Sequence, residues 1–386
     1  MKIAWFLVWA FRIVFFSVLL TPLLMLLLWW LKPSLQKGIT IIDKTVLDKA
    51  FEEHASLFWY MNSRKWIRPD NGDAYQADKD YFGFFPGEKQ AYTLKGLEGL
   101  PDRQLDSIAK ASEYLYITDS YGIYHNEWFK DADREERSSH LYGGLAPEDM
   151  SLLHKMDVGG KTIICEFNTL ANPTTDTIRS AFENQFGLRW TGWIGRYFES
   201  LDSATNKELP HWLLQNYIKQ YKKWPFQKAG IVFVNENDRI EILEYGEELL
   251  ERVPKIYTKD KYVKETGLPA RIYYPFWFDI MAYDTRQLEA LSYYYLPTNQ
   301  RGDSLLKTYG IPGLFPAVLK RKSSPDRAAF YYFSGDYCDN PVSLKRSYFR
   351  GIRHLSEFYY DETDNSDRQT FFWLYYLPLL DNILKD

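Results

Sequence analysis

The stretch from Leu141 to Gly195, LYGGLAPEDMSLLHKMDVGGKTIICEFNTLANPTTDTIRSAFENQFGLRWTGWIG, constrains the fold more than any other part of the chain. It reads as turn, helix, buried strand, polar elbow and helix. Gly143-Gly144 closes a strand, and Pro147 with Glu148 and Asp149 opens a helix whose acidic first turn suits the positive end of the helix dipole. Gly159-Gly160 stops that helix, and Thr162-Ile163-Ile164-Cys165 is a short apolar run of buried-strand type. Asn172-Pro173 starts a second helix with Ile178, Ala181, Phe182 and Phe186 on one face and Gly187 past its end. Such alternation predicts an α/β sheet, in which ligands sit beyond the carboxyl ends of the strands. Glu166, Asn168 and Thr169 fall at that place.

The amino terminus sets a second constraint. From Ile13 to Leu31 there are 19 positions without a charge, about the thickness of a bilayer core at 1.5 Å per residue. Trp29 and Trp30 at the far end suit a membrane interface. The run is too long for a signal-peptide core, and no small-residue cleavage site follows it. It is expected to be an uncleaved, single-pass anchor. Lys2 and Arg12 on one side nearly balance Lys32, Lys37 and Lys44 on the other. The bulk of the chain is expected outside the cytoplasm, since a lone amino-terminal anchor commonly serves a translocated domain.

Beyond Leu31, 45 basic residues face 51 acidic ones. That balance excludes a nucleic-acid footprint, which needs a basic surface. Two cysteines, Cys165 and Cys338, exclude a disulfide-dense scaffold. His125 and Glu127 lie two apart without an H-x-x-x-H or C-x-x-C partner, so no metal site and no cofactor are expected. With 13 Trp, 30 Tyr and 25 Phe, aromatic content is high. Core packing and membrane anchoring account for some of it, and sugar-facing rings are the sharper reading.

Further elements follow from local pattern. Ile39–Ile42 is a short strand candidate, followed by a helix around 46–60, and residues 68–87 read as an irregular loop. A helix through Ile108 and Ala111 feeds the strand Tyr114–Thr118, which ends in Asp119. Arg189–Tyr197, with two Trp and two Gly, reads as a tight loop carrying exposed or half-buried rings. Residues 209–221 read as helix; 230–234, 240–243, 271–274 and 329–333 read as strands. The 14 residues from Phe371 to Leu384, broken by Pro378, are too short to span and read as a packing helix. The expected organisation is an anchor over 1–36, a juxtamembrane segment over 37–105 packing on the main domain, an α/β domain over 106–345, and a helical tail over 346–386.

From Tyr114 to about Asp339 the chain resembles the class I glutamine amidotransferase-like superfamily. The likeness rests on Asp119 with Tyr121-Gly122, on Tyr142-Gly143-Gly144 before a helix, on Lys161 to Cys165 leading into an elbow, and on Ser334-Gly335-Asp336 after a late strand. It implies a flavodoxin-like, mostly parallel sheet with helices on both faces. In amidotransferases the elbow carries a nucleophilic cysteine and a later strand its histidine. Cys165 stands almost at the elbow, yet Phe333 to Asp336 offers no histidine and the elbow lacks the glycines of a strained nucleophile turn. Glutamine hydrolysis is therefore not expected.

What remains at the strand ends is Asp119, Tyr121, Glu166, Asn168, Thr169, Asp336 and Asp339. Glu166, Asp119 and Asp336 are the catalytic candidates, because two carboxyls at separate strand ends suit acid–base or glycoside chemistry. Tyr121, Gly143, Gly144, Asn168, Thr169, Trp190, Trp193 and Arg196 are the ligand-binding candidates; the guanidinium of Arg196 suits a carboxylate or phosphate, or a pairing with Glu199. The expected function is a non-glutaminase ligand-binding or scaffold domain linked to envelope glycans or a membrane-protein partner. The alternatives are a glycan hydrolase using Glu166 with an Asp, and a subunit that docks other membrane proteins.

Overall fold

The computed structural model describes residues 2–129, 139–322 and 326–384. Its centre is a ten-stranded sheet. Five parallel strands form the middle, in the spatial order Phe82–Pro86, Ile39–Asp43, Tyr114–Asp119, Thr162–Cys165 and Ala329–Phe333. Antiparallel strands flank them: Tyr92–Lys95 on one edge, and Leu314–Arg321, Leu288–Tyr295, Lys255–Thr258 and Arg271–Tyr273 on the other. The sheet is therefore mixed, where a mostly parallel one was expected. Seven residues separate Arg321 from Ala329, too few for a crossover, so parallel pairing ends there.

Period-two alternation divides each central strand between two layers. Ile39, Ile41, Tyr114, Tyr116 and Ile164 pack with the Glu52–Arg64 helix and the carboxyl-terminal helices. Leu115, Ile117, Ile163 and Cys165 pack with the helices Asp102–Ala111, Pro147–Val158 and Asp176–Phe186. Helices thus cover both faces, as expected. Ile39–Asp43 lies inside this sheet, so residues 37–105 are part of it rather than a segment laid upon it.

A second sheet, wholly antiparallel, runs Ile240–Glu244, Gly230–Asn235, Leu188–Phe198, Trp277–Tyr283, with the His211–Tyr221 helix packed on it. The expected loop at 189–197 is one of these strands. Its glycines serve other ends. Gly192 (φ 84°) sits where the register slips between Trp190 and Ile194, a bulge in the strand. A side chain at Gly195 would meet the Phe278 ring at 2.4 Å. Trp190 and Trp193 are buried in separate core layers.

The Lys2–Trp30 helix contains a 22-residue stretch, Trp9–Trp30, long and apolar enough to cross a membrane and with none of it buried. A core helix would be enclosed. Its end is tied to the body by Trp29 Nε1 donating to Asn62 O (2.9 Å) and Lys65 Nζ to Trp30 O (2.6 Å). The tail runs as one helical stretch from Arg368 to Ile383 and buries Phe372, Tyr376, Leu377 and Leu380, as a packing helix should.

Candidate functional site

The strand order reverses between Ile39–Asp43 and Tyr114–Asp119, the position at which α/β sheets of this kind place a crevice beyond the carboxyl ends of the strands. Asp43 and Asp119 end these strands as register partners. Asp119 Oδ1 accepts the Tyr121 amide (2.6 Å), and Oδ2 faces Asn168 Nδ2 (3.4 Å). Burial pushes Asp119 up to about 7, with Asp43 adding to the shift. Asp43 Oδ2 lies 2.6 Å from His54 Nδ1, and His54 Nε2 lies 2.9 Å from Ala77 O. A carbonyl only accepts, so Nε2 carries hydrogen and a proton sits between Nδ1 and Asp43. Glu53, one residue earlier, is pushed up to about 9 by burial and by the Asp43, Asp339 and Asp119 carboxyls.

Glu166 follows the next parallel strand and is fully enclosed. Oε2 accepts the amides of Tyr337 and Cys338 (2.9 Å each), and Oε1 bonds the Tyr116 hydroxyl, which in turn meets Tyr376 Oη at 2.9 Å. Burial pushes it up to about 8 against these donors. The carboxyl thus staples the Cys165 strand end to the loop after Phe333. Asp336, on that loop, is 9% exposed, and among the described residues no hydrogen-bond donor reaches its carboxyl. Burial first, then Asp339, Asp119 and Glu166, push it well above the usual range. Asp339 pairs with Arg368 at 2.9 Å, yet burial still raises it. Asp279 accepts the Tyr332 hydroxyl (2.6 Å), and burial pushes it up to about 7. Cys165 and Cys338 are both free and buried, and burial pushes the Cys165 thiol well up.

Below this cluster a lysine is locked in place. Lys44 is 1% exposed, and its Nζ reaches Asp149 Oδ2 and Glu98 Oε1 at 2.6 Å and Gly144 O at 3.0 Å. Gly143 (φ 139°) and Gly122 (φ 85°) let two backbones cross: a side chain at Gly143 would lie 2.5 Å from Gly122 Cα. Gly144 N donates to Ser120 O (2.7 Å). Thr169 is buried, its hydroxyl donating to Glu166 O (2.6 Å), and Asn168 stands in the left-handed region at φ 64°. The glycines, Asn168 and Thr169 thus set the backbone path at the strand ends.

Arg196 reaches a cavity of about 570 Å³ lined by Arg196, Phe198, Asn206, Glu208, Phe276 and Arg368 among others. Its guanidinium pairs with Glu208 (2.7 Å), in place of the expected Glu199, and lies 4.5 Å from the Phe198 ring. Arg368 lies 3.5 Å from the Phe276 ring. Since Arg368 also holds Asp339, the cavity and the acidic strand ends share a wall. Trp190 and Trp193 face the core instead: Trp190 Nε1 donates to Trp193 O (3.0 Å), and neither ring lines this cavity.

Sequence reading missed Asp43, Lys44, Glu53, His54, Asp279 and Arg368. The strand-end rule that selected Asp119 and Glu166 also selects Asp43 once Ile39–Ile42 is admitted to the sheet. Asp279 lies inside a strand, and Arg368 in the tail helix, with no local signal. Among the described residues, no group of three or more His, Cys, Asp or Glu is arranged to hold a metal ion.

No family model matches the chain, and no curated protein sequence matches it. Among solved structures, a crystal structure of a putative ThuA-like protein from Bacteroides uniformis aligns with a TM-score of 0.33 and 9% identity, covering 82% of this chain and 90% of that one. No functional reading rests on that likeness.

Proposed function

We propose that this protein is a membrane-anchored, extracytoplasmic domain of flavodoxin-like topology that binds a hydroxyl-rich ligand of the glycan class without glutaminase chemistry. The topology is supported by the five parallel strands, which numbered along the chain stand in the order 2-1-3-4-5. The observation that carries the ligand class is the Arg196–Arg368 cavity. Its guanidiniums already have carboxylate partners, Glu208 and Asp339, so it offers donors and acceptors with its charge largely neutralised. Phe276, half-buried, supplies an aromatic ring beside them, while Phe198 is buried beneath Arg196. Hydroxyls fit the paired edges, and sugar C–H groups fit the Phe276 ring. The non-glutaminase reading is supported by Cys165, whose thiol lies in the core and is pushed up by burial and by the neighbouring Glu166 carboxyl, the reverse of an activated nucleophile.

Calorimetry of the full chain in micelles with neutral oligosaccharides, acidic oligosaccharides and glutamine tests this reading. Neutral glycans are expected to bind, and Phe276→Ala to weaken them about two- to tenfold, the size of a lost stacking contact. Binding of glutamine alone, or a Phe276→Ala protein with unchanged affinity, sinks it. Protease added to spheroplasts is expected to digest the domain; protection would reverse the orientation.

One observation favours a hydrolase on the same ligands. Asp119 receives donors that favour its charged form, whereas Asp336 receives none, a division of environments that suits base and acid. The expected partner Glu166 is occupied by three donors and enclosed. Turnover lost in both Asp119→Asn and Asp336→Asn would select this reading.

A further inference from the structure

The amino-terminal helix does not simply lead into the body; the body grips its side. Arg350 N donates to Met25 O (3.2 Å), and the Trp29 and Tyr348 rings meet edge to face at 4.8 Å. Met25 precedes the helix end at Trp30 by five residues, about 7 Å along the axis. A groove of about 500 Å³ continues along the helix to Val18, between Pro22 and Met25 on one side and Phe349, Leu355 and Phe358 on the other. Val18 lies about 18 Å from the helix end. A bilayer surrounding this helix must therefore also meet the segment 344–359.

That segment has the composition of an interfacial layer. Phe358 is 82% exposed, and Tyr348 stays 36% exposed beside the Trp29 ring, so large apolar surface is open here. Lys345, Arg350 and His354 are exposed among them, against a single exposed acid, Glu357. Arg346 stacks on Tyr359 at 4.1 Å. An alternation of exposed aromatic and basic side chains suits the boundary between acyl chains and anionic headgroups.

We propose that residues 344–359 form a second bilayer contact, in which Phe358 and Leu355 enter the acyl region while Lys345 and Arg350 sit among anionic phosphates. This rests on the helix being the membrane anchor. It fixes the strand-end crevice at a set height above the membrane, because the same segment is packed against the Glu52–Arg64 helix that carries Glu53 and His54.

The test uses the full chain in phosphatidylcholine vesicles with or without one-third phosphatidylglycerol. An environment-sensitive fluorophore is placed at Leu20→Cys, Phe358→Cys or Glu199→Cys, and doxyl-labelled lipids serve as quenchers. Quenching is expected at 20 and 358 and not at 199. With phosphatidylglycerol, Lys345→Glu with Arg350→Glu is expected to reduce quenching at 358 about twofold and leave 20 unchanged. Quenching at 20 with none at 358 overturns the proposal and spares the anchor. A blue-shifted but unquenched probe at 358 means that this protein, in the same or a second copy, covers the surface in place of lipid, and also overturns it. No quenching at either position removes the anchor and the proposal together.

Discussion

Glu166→Ala is expected to destabilise this protein by about 3–5 kcal/mol, while Glu166→Gln stays within about 1 kcal/mol of wild type at pH 7. Alanine strands the amides of Tyr337 and Cys338 and the Tyr116 hydroxyl in a closed site. Glutamine keeps an oxygen for the two amides and gives Tyr116 an N–H. It resembles the protonated carboxyl, the form favoured near neutrality because burial raises Glu166 to about 8. The two proteins should then diverge with pH. A carboxyl whose folded pKa exceeds its unfolded value near 4.5 binds more protons when folded, so its contribution is full below pH 4.5 and is lost as pH rises through 8. Asp279, raised to about 7, acts in the same direction. Wild type is expected to lose stability from pH 5 to 9, and Glu166→Gln to lose less, melting a few degrees higher at pH 9. Urea unfolding in micelles across this range checks the claim. Equal pH slopes would mean that Glu166 is ionised in the fold and that the staple works as a salt-like anchor.

Lys44→Met is the second large effect, expected to cost about 3–5 kcal/mol. It leaves Asp149, which has no exposure, without its cation and with the Ala146 amide (2.7 Å) as a remaining donor. Burial already pushes Asp149 upward against that lysine. Removing both charges in Lys44→Met with Asp149→Leu is expected to recover much of the loss, because an apolar pair needs no compensation in a dry site. A single-substitution cost below about 1 kcal/mol would show that water reaches the ammonium and that the lysine does not tie the first strand to the Pro147–Val158 helix.

Local pattern carried a good part of the fold. The elements from Asp102 to Phe186 stand close to where glycine, proline and apolar spacing placed them. The strands at 230–235, 240–244 and 329–333 were legible for the same reason: strand alternation and turn residues act within a few positions. The strand-end rule reached Asp119 and Asp336, which the structure brings near one another; Arg196, singled out for its guanidinium beside the tryptophans, lines the adjoining cavity. It also reached Glu166, whose enclosure depends on Tyr116, fifty positions away, and on an amide pair 171 and 172 positions away.

Trp190 and Trp193 show the limit of composition. Two tryptophans and two glycines read as a tight loop carrying exposed or half-buried rings, yet pairing on both sides with Gly230–Asn235 and Trp277–Tyr283 makes them a buried strand. Sequence alone determined the helices and strands around 102–119 and 147–186 and the apolar helix at the start, because both depend on contacts within a few turns of chain; the strands at 188–198, 255–258, 277–283, 288–295 and 314–321 it did not. The tertiary structure alone decided which sheet each strand joins, which carboxyls are sealed and which reach solvent, and that Lys44 is an interior cation. Those outcomes depend on what packs across the fold from a residue, and nothing in its neighbours along the chain records that.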